Sequence, residues 1–78
     1  MNRPGSGRVQ KRVRWTFIAS NGQAVPFGML AERCYPRLDR LELKQRWSIY
    51  RALARYGTPV RRGWWAPNEE LRRRILGR

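Results

Sequence analysis

The side chains that carry out covalent or metal chemistry are scarce in this chain. It has no His, a single Cys (Cys34), and five acidic residues among 78. The lack of His removes the commonest general base. With one Cys and no His, a zinc site is not expected. The carboxylates form no paired-acid constellation, and no Gly-rich stretch matches a nucleotide-phosphate loop. The expectation is therefore a protein that is not an enzyme, with no catalytic residues, no metal and no cofactor. Cys34 sits in an apolar pattern and reads as a buried free thiol in a reducing compartment. The remaining chemistry is positive charge. Lys and Arg number 18 against the five acids, a formal net charge of +13. Such self-repulsion costs stability, which points to a polyanionic partner. Nucleic acid is the commonest such partner, and an anionic membrane surface is the rival.

The cations must be positioned by local structure, and the stretch Lys44–Trp65 organises them. Lys44–Tyr56 predicts an amphipathic helix at ~100° per residue. Ile49, Tyr50, Leu53 and Ala54 fall on one side, flanked by Trp47, and Trp47 and Tyr50 are expected in the core. Lys44, Ser48, Arg51 and Arg55 fall on the other side, with Gln45 and Ala52 beside them. Gly57 is expected to end the helix at positive φ, as a C′ residue. Thr58–Arg61 and Trp64–Ala66, joined through Arg62-Gly63, predict a tight basic hairpin. A helix with a cationic outer face, followed at once by such a hairpin, suits a DNA groove and its phosphates.

The remaining segments frame this unit. Met1–Gly7 reads as a flexible tail. Arg3, Arg8, Lys11 and Arg12 form either a solvated tail or a basic arm for phosphates or a minor groove. Arg8–Ser20 carries both periods. Val9, Val13 and Phe17 recur at helical spacing, whereas Val13, Trp15 and Phe17 alternate as in a strand. The helix is preferred, and the following Asn21-Gly22 can close a helix or turn a hairpin. The same stretch, with Arg, Lys, Trp and Phe, also fits a surface-active amphipathic helix.

Val25 leads into Pro26, which suits a first helical position and opens a helix over Phe27–Tyr35. Met29, Leu30, Ala31 and Cys34 are its expected core positions, and Pro36 stops it. Arg37–Leu43 reads as a turn whose Leu residues tuck under the helix pair, with Asp39 or Glu42 serving the next helix start. Trp64 and Trp65 face opposite sides of a strand, one in the core and the other packed on the last helix or stacked on a base. Asn68 caps a final helix that Gly77 ends. Its stripe of Leu71, Ile75 and Leu76 packs on the domain or on a second copy, a possible homodimer contact.

Helix, extended link, helix, turn, longer helix and a hairpin of Arg, Gly and Trp: this order resembles a winged helix-turn-helix. The residues carrying it are Val25–Arg33 for the first helix of the motif, Gln45–Tyr56 for the recognition helix and Arg61–Trp65 for the wing. In style the chain is similar to small basic regulators of bacteria and their phages. The resemblance implies a mainly α fold with a small β-hairpin: a three-helix core, a wing and a C-terminal helix. Residues 1–7 would be the tail, 8–67 the winged domain and 68–78 the last helix and tail.

The resemblance further implies sequence-specific binding of double-stranded DNA in transcription regulation. Lys44, Gln45, Ser48, Arg51 and Arg55 would face the major groove, where Arg and Lys suit guanine and Gln suits adenine. Arg61 and Arg62 would hold the backbone or a narrow minor groove. The alternatives are an RNA-binding or ribosome-associated protein, a membrane-surface protein, and a winged helix that docks proteins. No apolar run approaches the ~20 residues of a membrane span, and no secretory signal is evident. The expected location is cytoplasmic, at the nucleoid.

Overall fold

A computed structural model of the chain describes residues 6–37 and 39–77. The elements run α1 (Ser6–Ala19), β1 (Val25–Pro26), α2 (Phe27–Cys34), α3 (Leu43–Tyr56), β2 (Gly57–Arg61), β3 (Trp64–Pro67) and α4 (Glu69–Leu76). Helices α1, α2 and α3 pack on one another, and a small antiparallel sheet of order β1-β3-β2 closes one side.

The helical period prevails in α1. Val9, Val13 and Phe17 are buried, and the strand-like alternate Trp15 is 59% exposed. The helix starts at Ser6, inside the segment expected as a tail, and carries Arg8, Lys11 and Arg12. The structure of residues 1–5, including Arg3, lies outside the described residues. Asn21 and Gly22 close α1 in left-handed conformation, φ 60° and 82°. Their amides donate to the carbonyls of Ile18 and Phe17, the double bond of a Schellman cap.

Pro26 precedes α2 as its N-cap in extended conformation, not as its first helical residue. It cannot open the helix because it pairs with Trp64 across the sheet. Leu30 and Cys34 are buried as expected, while Met29 faces solvent. Cys34 is a free thiol. Burial pushes it up to about 11, although the positive charge of Arg12 acts in the opposite direction.

Glu42, one of the two residues expected to serve the start of α3, does so, while the core side of the helix differs from the sequence expectation. The start is a capping box: Glu42 caps the helix, and the Glu42 amide donates to Gln45 Oε1 at 2.7 Å. Its core side is Ile49, Ala52 and Leu53, all buried. Tyr50 and Trp47 are instead 39% and 56% exposed, and Ala54 is exposed too. The apolar side is thus rotated toward Ala52. Leu43 also stands in solvent instead of tucking beneath the helices.

Gly57 is extended at φ −122°, so positive φ is not its reason. A Cβ there would lie 3.0 Å from Leu53 Cδ2 and 3.2 Å from the Leu53 carbonyl oxygen. The chain needs Gly because β2 departs directly over the last turn of α3.

The hairpin has the expected turn at Arg62-Gly63, with Gly63 at φ 76°. A register shift between Pro59 and Arg61 bulges β2 at Val60. The Phe27 amide donates to the Gly63 carbonyl at 2.7 Å and ties this turn to the start of α2. Trp64 and Trp65 are both half-buried. Trp65 packs on the core, and Trp64 borders a hollow beside Met29 and Arg33.

Asn68 caps α4 by accepting from the Leu71 amide at 2.9 Å, and its Nδ2 donates to the Arg55 carbonyl at 2.8 Å. One side chain therefore fastens α4 to the end of α3. Leu71 is buried and Ile75 packs against the core, which leaves Leu76, at 54% exposure, as the only expected dimer residue standing free. Most of the stripe is therefore packed inside the fold.

Candidate nucleic-acid interface

The solvent side of α3 is set by its buried side. With Ile49, Ala52 and Leu53 facing α1 and α2, a 100° step places Lys44, Arg51 and Arg55 together on the outside. All three are exposed. Arg46, close to the apolar side on the helical wheel, is exposed as well. The surface around these cations is the relevant variable.

Acids do not neutralise this side. Both ion pairs among the described residues lie within α4: Arg73–Glu69 at 3.0 Å and Arg74–Glu70 at 3.8 Å. These exposed i,i+4 pairs contribute little to stability. They do absorb two carboxylates far along the chain from the α3 cations. Lys44, Arg51, Arg55, Arg61 and Arg62 have no carboxylate at ion-pair distance among the described residues.

The polar residues expected beside them are engaged within their own helix. Gln45 is held in the capping box, and the half-buried Ser48 donates to the Lys44 carbonyl at 3.1 Å. In the hairpin, Arg61 and Arg62 are exposed near the turn. The Arg61 guanidinium carbon lies 5.2 Å from the centroid of the Trp64 ring, which steadies it against the sheet. Of the expected basic arm, Arg8, Lys11 and Arg12 are exposed but point around α1. Arg12 stands toward Cys34, and Lys11 borders a groove toward α4.

An aromatic cluster flanks the cations, and two of its members, Trp47 and Tyr50, are ones the sequence places in the core. Phe27 stacks on Tyr50 at 5.0 Å between centroids, and Tyr50 meets Trp47 and Trp65 at 6.3 Å each. Tyr50 and Trp47 keep enough exposure to offer ring surface to a ligand.

No described helix is long and apolar enough to cross a membrane. No protein-family profile, curated protein or solved structure matches this chain.

Proposed function

We propose that this chain is a winged helix-turn-helix domain that binds double-stranded DNA sequence-specifically and serves transcription regulation. The order α1-β1-α2-α3-β2-β3, with β1 beside β3, supports the winged reading. The observation carrying the function is the outward side of α3, where Lys44, Arg51 and Arg55 stand in solvent without acid partners among the described residues.

In this reading α3, 14 residues and ~21 Å long, lies in the major groove. Arg51 and Lys44 reach guanine edges or flanking phosphates, and Arg55 holds a phosphate near the helix end. The bulged hairpin places Arg61 and Arg62 on the backbone or in the adjacent minor groove. Gln45 is left to its cap, because reading adenine would require breaking the bond to Glu42. Selection of bound sequences from a random duplex pool tests the proposal. A consensus that Arg51→Ala relaxes at defined positions supports it; recovery of unenriched sequence refutes specificity.

One observation favours a second reading. The exposed rings of Trp47 and Tyr50 beside these cations suit unpaired bases, as in RNA loops. Competition between duplex DNA and structured RNA at one salt concentration separates the two. If RNA displaces the duplex and Trp47→Ala abolishes that advantage, the second reading stands.

A further inference from the structure

A groove of about 640 Å³ runs between α1 and α4, where the end of α3 meets both. Small-molecule sites fall at about 300–1,000 Å³. Its rim is cationic: Lys11 and Arg14 come from α1, Arg55 from α3 and Arg74 from α4. Glu70 is the one carboxylate there, and it pairs with Arg74 at 3.8 Å. Lys11, Arg14 and Arg55 therefore have no acid partner among the described residues. Cations gathered in one concavity repel each other, and an entering anion relieves that repulsion.

Arg14 points most directly to a ligand. Its Nε is buried and meets no hydrogen-bond acceptor among the described residues. Such an orphaned charged donor is costly unless an acceptor arrives. The Arg14 guanidinium carbon lies 5.4 Å from the centroid of the Tyr56 ring, and that of Arg55 lies 5.8 Å from the same centroid. Tyr56 thus holds two guanidinium groups near each other by cation–π attraction. Planar guanidinium forks match the oxygens of a phosphate. Beside them Trp15 offers an indole 59% exposed, an open apolar surface on which a planar ring stacks.

We propose that this groove binds an aromatic ring bearing a phosphate, the chemistry of a nucleoside monophosphate. Arg14 and Arg55 hold the phosphate, and the ring lies on Trp15. Two sources supply this chemistry: a free nucleotide, and the phosphorylated end of a strand. The site rests on the groove's own observations and shares only Arg55 with the surface proposed for the duplex.

Calorimetric titration of the full chain with adenosine monophosphate, adenosine and inorganic phosphate tests the site. The nucleotide binds most tightly; adenosine, without the group that both guanidinium ions hold, is weaker by about a hundredfold, and inorganic phosphate, without the stacked ring, by about tenfold. Arg14→Ala and Trp15→Ala each cost about tenfold in nucleotide affinity, while Arg73→Ala, outside the groove and paired with Glu69, does not. Trp15 is largely exposed, so its variant reports on the groove even where loss of Arg14 disturbs folding. Equal affinity for inorganic phosphate, no saturable binding at millimolar nucleotide, or unchanged affinity in Trp15→Ala would overturn the proposal. A single strand with a terminal phosphate, set against the same strand without it, identifies the source. Displacement of the nucleotide by the phosphorylated strand alone supports the strand end, and displacement by neither supports the free nucleotide. Equal displacement by both overturns the site in favour of general backbone binding.

Discussion

Replacing Arg51 by Ala gives the sharpest reading of how α3 holds a polyanion. Arg51 is exposed, lies opposite the buried Ile49–Leu53 side, and pairs with no acid among the described residues. Its loss removes a cation and leaves no buried partner behind, so folding stability changes by less than about 0.5 kcal/mol. Five cations are positioned on α3 and the hairpin: Lys44, Arg51, Arg55, Arg61 and Arg62. If each neutralises one phosphate, log affinity falls with log salt at a slope of about −4.5. A fourfold rise in salt then weakens binding by about five-hundredfold. Arg51→Ala lowers the slope to about −3.6, and the same rise costs about 150-fold. Fluorescence anisotropy of a labelled duplex over a series of salt concentrations measures both slopes. Arg73→Ala is the control, because Arg73 is already paired with Glu69 on α4. An unchanged slope in Arg51→Ala, or an equal flattening in Arg73→Ala, would refute the assignment of binding to α3.

Other substitutions test the frame that presents this surface. Asn68→Ala removes both the cap of α4 and the bond to the Arg55 carbonyl, and thermal melting should report a loss of about 1–3 kcal/mol. Asn68→Asp keeps the cap but not the donor, so it recovers only part of that loss. Gly57→Ala forces a Cβ against Leu53 and costs about 1–3 kcal/mol, although no positive φ is involved. The Cys34 thiol, raised from 9.0 to about 11, stays protonated in the fold when the unfolded chain has already lost its proton. Its contribution to stability is therefore complete below pH 9 and is lost as pH rises toward 11, a decline that Cys34→Ala removes. Alkylation of the folded protein at pH 8 should correspondingly lag far behind that of the unfolded chain.

Local signals were legible wherever one residue type had one conformational use. Asn21-Gly22, Asn68, Arg62-Gly63 and Gly77 each mark a cap or turn in the structure. The helical spacing of Val9, Val13 and Phe17 fixed the core side of α1. The strand β1 was less visible, since two residues carry no period and exist only through pairing with β3. The inward side of α3 differs because the helical wheel groups Ile49 and Leu53 with Tyr50 and Ala54, whereas the structure buries Ala52 beside them. That same rotation left Lys44, Arg51 and Arg55 outside, so the cationic side survived an error in the apolar one. The groove around Arg14 and Tyr56 joins residues about forty positions apart, and nothing in either local pattern brings them together.

Backbone amide shifts of the labelled protein, followed while duplex DNA is added, test the assignment of binding to α3 most directly. The account predicts that the largest movements fall on Lys44, Arg51, Arg55 and the Arg61–Gly63 turn, with Ile49 and Leu53 following through the helix and α4 nearly still. Movements confined to α4 or spread evenly over every basic segment would contradict it.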